Sequence, residues 1–171
     1  MIFGEKTIGV TEIPGSTYYF LGVILSYIGL DPNKDVRWTT HRAAEAARLL
    51  SEGKIDAFLA LPPLSYELRA KKIGHVILNS TTERPWRDYF CCMVVGNREF
   101  VRRYPAATRR VVRALMKANQ VCALEPDESA RIVVGRGATT SYEYAVQTMK
   151  EIPYSAWREY DAEGMKKELK G

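Results

Sequence analysis

The chain has 171 residues, 46% of them hydrophobic and 26% charged, and a net charge of +5 at neutral pH. That balance excludes a disordered tail, a collagen-like repeat and a disulfide-stapled miniprotein. It leaves room for a buried core in one domain or in two small lobes.

Residues 1–15 contain Glu5, Lys6, Glu12, Pro14 and Gly15, so they form no apolar signal-peptide region. Lys6–Val10 reads as a strand, followed by the turn pair Pro14-Gly15. Ser16 or Thr17 then caps a helix to about Ile28, stopped by Gly29 with Pro32 beyond it. This helix is apolar nearly all round, which predicts a sheet on one face and another element on the other. The run Tyr18–Ile28 would span only about 17 Å as a helix, against a bilayer core of about 30 Å. It reads as a buried helix and not as a membrane span.

Val36–Thr39 reads as a second strand. Thr40 can cap a helix from about Arg42 to Ser51, with Gly53 as its stop and Ala43, Ala46, Ala47 and Leu50 on its apolar face. Ile55–Leu61 is nearly all apolar, as expected of a buried parallel strand. Pro62-Pro63 breaks it and starts a helix to about Lys72. His75–Asn79 reads as a fourth strand. Strand–helix alternation of this kind predicts an α/β fold with a parallel-dominated sheet and flanking helices.

The pattern changes after residue 81, so the chain divides into an α/β lobe, 1–81, and a remainder, 82–171. Ser80–Asp88 reads as an irregular crossover, and Tyr89–Val95 as one returning strand. That strand needs partners for its backbone, which this half does not obviously supply. Helices follow: Asn97 caps one to Tyr104, and Pro105 starts another over about Ala106–Ala123. Pro126 starts a third, about Asp127–Val134, closed by Gly135-Arg136-Gly137, and Ser141–Ile152 is a fourth. The tail from Ala162 is charged and weakly helical.

No phosphate-binding loop, dinucleotide fingerprint, HExxH, GxSxG or CxxC pattern occurs, so no motif asks for an enzyme, a metal or a cofactor. Cys91 and Cys92 would alternate across a strand and read as core thiols. Arg109, Arg113 and Lys117 share a helix face, either as its solvated back or as a contact for a partner or a nucleic acid. A charge of +5 is too low for a dedicated nucleic-acid binder.

What is present is a strand end followed by Pro14-Gly15-Ser16-Thr17 and a helix start. Free backbone N–H groups and two hydroxyls there suit an anion or a carboxylate; the alternative is that Ser16 or Thr17 only caps the helix. The place is the carboxyl end of a parallel strand, where open α/β sheets take their ligands. Pro62 and Pro63 fall at the same sheet edge. Trp86 and Tyr89, near the crossover, are either core aromatics or the wall of a pocket.

The order strand, Gly15-Ser16-Thr17, apolar helix, then "GKIDAFLALPPLSYELRAK", resembles the solute-binding proteins of bacterial ABC importers, of the nitrate/sulfonate/taurine and thiamine-pyrimidine type. So do "ERPWRDYFCCMVVGNREFVRRYPAATRRVVRALMKANQVCALEPDESARIVV" and "YAVQTMKEIPYSAWREYDAE". The resemblance implies the second lobe of a type II periplasmic binding fold and a small anionic or carboxylate-bearing solute bound in an interlobe cleft. It also implies an ABC permease as partner, a periplasmic location and no catalysis. It carries ligand contact to Gly15, Ser16 and Thr17, sets Pro62 and Pro63 near the cleft, and makes Arg84–Tyr89 the crossover to the first lobe. Members of that family have a leader and a first-lobe segment ahead of the point where this chain starts, and further helical sequence after its end. The expectation is therefore a truncated form, whose strand Tyr89–Val95 lacks its sheet partners and whose uncovered surface can pair two copies. Two other readings share the fold: a thiamine-pyrimidine-synthesis-like enzyme, to which "FCCM" bears a slight likeness, and a non-transporting effector domain.

Overall fold

The computed structural model describes residues 6–88 and 94–156. The contacts divide the chain into two compact units, Met1–Ile77 and Leu78–Gly171.

In the first unit, β1 (Lys6–Val10) lies between β2 (Val36–Thr40) and β3 (Ala57–Phe58) in a parallel three-stranded sheet. The register sets Ile8 opposite Trp38 on one side and Ala57 on the other. Space is tight at Gly9 in the central strand: a Cβ there would stand 3.1 Å from Ile55 Cδ1 and 3.3 Å from Phe58 Cβ. Lys6 Nζ and the Thr7 N–H both donate to the Asp56 carboxylate, at 2.9 and 2.8 Å. These two bonds, the lysine's first, hold the Asp56 carboxyl below its usual range.

The three helices of this unit are α1 (Ser16–Tyr27), α2 (Ala43–Ser51) and α3 (Leu64–Ala70). Leu25 of α1 meets Ile8 and Val36 in the core, with Leu21, Leu30 and Trp38 packed around them. Tyr19, Val23 and Tyr27, four residues apart, stand exposed on α1. The expected cover on two sides is thus reduced to one among the described residues: the sheet takes the Leu25 face.

Three local readings need correction. β3 is two residues long instead of seven; Ile55 is buried without joining the ladder, and Leu61 is 62% exposed. His75–Asn79 forms no strand: Val76 and Ile77 stay 53% and 61% exposed. An apolar run signals burial, but pairing also needs a neighbouring strand with free backbone groups at that height. The helix caps differ as well. Gly15 is the N-cap of α1 and Arg42 that of α2, neither with a side-chain cap bond. Ser16 and Thr17 lie inside the first turn of α1, and Thr40 ends β2.

The second unit opens with turns and a short 3₁₀ helix, Trp86–Asp88, then α4 (Arg98–Arg103), α5 (Pro105–Leu124), α6 (Pro126–Gly135) and α7 (Tyr142–Glu151). Caps were legible here: Asn97 accepts from Phe100 N–H at 3.0 Å, and Ser141 from Tyr144 N–H at 3.3 Å. Helices α6 and α7 pack through Ala130, Ala145 and Met149, joined by Cys122, Val133, Val134, Val146 and Tyr154. Asp127 ties the pair together, receiving Lys150 Nζ at 3.3 Å and the Tyr142 hydroxyl at 3.4 Å. The returning strand Tyr89–Val95 falls largely outside the described residues, as do Cys91 and Cys92. Val94 and Val95, which are described, have no regular structure and are exposed.

The Ser129 hydroxyl of α6 is buried and has no hydrogen-bond partner among the described residues. An unmet buried hydroxyl costs about 1–3 kcal/mol. Ser129→Ala, which also improves helix propensity, is expected to raise the midpoint of thermal unfolding. A lowered midpoint in a calorimetric scan would show that the hydroxyl has a partner in solution.

Candidate functional site

In a parallel sheet all carboxyl ends lie at one edge. Here that edge gathers Thr11 after β1, His41 after β2 and Leu59 after β3. The His41 N–H donates to the Val10 carbonyl at 2.9 Å, which extends the β1–β2 pairing to the mouth of the edge. Thr11, Thr17, His41, Phe58 and Leu59 line a shallow hollow there.

The start of α1 faces this edge in sequence and structure. Tyr19 N–H is the first to close an intrahelical bond, to the Gly15 carbonyl at 3.0 Å. The amides of Ser16, Thr17 and Tyr18 therefore have no partner within the helix. Gly15 brings no side chain to cap them, and the first turn carries no acidic residue. No residue of the helix's own first turn offsets the positive end of its dipole. The Glu12 chain lies against Gly15: a Cβ on Gly15 would be 2.2 Å from Glu12 Cγ and 3.0 Å from the Glu12 carbonyl oxygen.

Thr17 is 8% exposed, and its hydroxyl is used locally. It accepts from the Thr11 N–H at 3.3 Å and lies 3.1 Å from the Thr11 hydroxyl. Of the two hydroxyl protons, one closes the bond between them and the other takes no part in it. Ser16 beside it is exposed. His41 Nδ1 stands 3.7 Å from Glu45 Oε2, one turn along in α2.

The structure thus brings Gly15, Ser16 and Thr17 together at the sheet edge. Pro62 and Pro63 stand beyond β3, at the entry to α3 on the same side of the sheet; Pro62 is exposed and Pro63 half-buried. Trp86 belongs to the second unit and is 6% exposed, which leaves little of its ring for a solute. Tyr89 lies outside the described residues. Thr11 and His41 were not singled out by sequence reasoning. The signal was available: the strand-end rule applied to β1 applies equally to the residue after β2. Among the described residues, no three His, Cys, Asp or Glu side chains are placed to hold a metal ion. No helix among them is long and apolar enough to cross a membrane.

These features define an α/β protein whose parallel sheet presents polar groups at its carboxyl edge. The chain belongs to the NMT1-like family, whose profile matches residues 4–136. It is similar to the bicarbonate-binding protein CmpA of Synechococcus elongatus, 28% identical over 110 residues, which are 63% of this chain and 24% of that protein. The CmpA of another Synechococcus strain is 27% identical over the same shares. The chain thus matches about a quarter of the length of these curated relatives. No solved structure matches it significantly. Family and relatives bear out the resemblance to solute-binding proteins.

Proposed function

We propose that this chain supplies the solute-binding half-site of an ABC importer, taking a small anion or a carboxylate-bearing solute without making or breaking a bond. The observation that carries this reading is the uncapped start of α1 at the carboxyl edge of a parallel sheet, beside a threonine pair with a spare hydroxyl proton. Three amides, a helix dipole and one O–H all offer donors to the same region, which selects for negative oxygen. The bicarbonate binding for which the relatives are named fits that chemistry. Gly15, Ser16 and Thr17 form the cradle in this reading, with Pro62 and Pro63 bounding it. The importer's permease would be the partner and the periplasm the compartment.

Ligand that binds only the folded state stabilises by RT ln(1 + [L]/Kd), about 2.7 kcal/mol at one hundred times Kd. Thermal shift with bicarbonate, nitrate, taurine and methanesulfonate, beside a neutral aminopyrimidine, tests the proposal. At least one anion is expected to raise the midpoint, and Thr17→Ala to reduce that rise. Equal silence from all the anions, confirmed by calorimetric titration, would refute the reading.

A further inference from the structure

Helix α5 is the most unusual surface of the second unit. It runs for twenty residues, and none of them is buried. It carries Arg109, Arg110, Arg113 and Lys117 and not one acidic residue. Several exposed cations at other helices meet an acid one turn away, as Arg48 meets Glu52, Lys71 meets Glu67 and Arg131 meets Glu128. Arg109, Arg113 and Lys117 meet no acidic side chain among the described residues. Between them Val112 and Met116, one turn apart, stand 45% and 40% exposed. Arg109, Val112, Arg113, Met116 and Lys117 share one open face along the helix.

An apolar floor with a rim of unpaired cations has a definite complement. We infer that this face of α5 docks an acidic amphipathic helix of a partner protein, its apolar residues on Val112 and Met116 and its carboxylates on Arg109, Arg113 and Lys117. Charge decides among the occupants. A second copy of α5 laid on this face would set cation against cation, which disfavours self-pairing. A nucleic acid would find three or four cations, a broken track, and no aromatic ring on α5 for stacking. A membrane-lying helix needs its apolar face free along its length and aromatic anchors. Here Cys122, at the far end of α5, packs against Ala130, Ala145 and Met149 instead. An amphipathic helix laid by its apolar stripe on an apolar surface with charged flanks is a recurrent mode of recognition.

Fluorescence anisotropy with two labelled helical peptides tests this. One carries leucines at i, i+4 spacing flanked by glutamates, and the other the same leucines flanked by lysines. The whole chain is expected to bind the glutamate peptide at least about tenfold more tightly than the lysine peptide, a difference of about 1.4 kcal/mol. That preference should shrink with added salt. The triple reversal R109E/R113E/K117E is expected to invert it, and Met116→Ser to weaken both peptides. Because these residues are exposed, an unchanged circular dichroism spectrum and melting midpoint should accompany both variants. The inference falls if the two peptides bind alike or the reversal leaves the preference in place. It also falls if phosphatidylserine vesicles or single-stranded DNA bind the chain more tightly than the glutamate peptide.

Discussion

Leu25→Ala is expected to cost about 2–5 kcal/mol of stability, the usual range for a leucine removed from a packed site. Leu25 is 5% exposed and closes on Ile8 and Val36 at the centre of a small core. Few neighbours are free to collapse into the gap, because Ile8 and Val36 are fixed in strands. Against a total of about 5–15 kcal/mol for an ordinary domain, the loss would be large. Val23→Ala, two residues away on the same helix and 54% exposed, is the control and should stay within about 0.5 kcal/mol of the parent. Urea unfolding of both variants reads the difference. Equal midpoints would mean that α1 does not pack on the sheet through Leu25.

The second large effect concerns the site. Gly15→Val is expected to weaken the stabilising anion at least about tenfold, or 1.4 kcal/mol. Its backbone angles, φ −163° and ψ 169°, suit any residue, so the fold itself should tolerate the change. The obstacle is space: the new Cβ would fall on Glu12 Cγ and press on the Glu12 carbonyl oxygen. The Glu12 side chain must move from the start of α1, and the pressure on its carbonyl oxygen is passed to the turn that sets the amides of Ser16, Thr17 and Tyr18. Calorimetric titration of the anion found by thermal shift measures the loss. Unchanged affinity in a folded Gly15→Val protein would move the site away from the start of α1.

Much of the framework could be read from residues alone. The strand Lys6–Val10, the proline-started helices α5 and α6, and the caps Asn97 and Ser141 all depend on local chemistry, and local chemistry is what a sequence displays. The length of β3 is different. Ile55–Leu61 looks like one long buried strand, but Ala57 and Phe58 pair only because Ile8 and Gly9 lie opposite them. Nothing within the run itself states where that partner stops. Ser16 and Thr17 show the same limit. Both are good capping residues, yet Thr17 turns its hydroxyl to Thr11, six residues back, and Gly15 takes the boundary. The site was therefore half visible: Gly15, Ser16 and Thr17 follow from the turn, while Thr11 and His41 join them only because β1 and β2 lie side by side.

The central place of β1 also bears on how the molecule comes into being. During synthesis β1 leaves the ribosome ahead of β2 and stands without these ladder partners until Trp38 arrives opposite Ile8. Its other flank waits for Ala57 and Phe58. Pairings between residues so far apart in sequence close slowly. Helices α6 and α7 are neighbours in sequence and can meet as soon as both exist. A nascent chain halted before Ala57 would hold two of the three strands, with the β3 flank of β1 open, a species suited to capture by a chaperone or to misassembly.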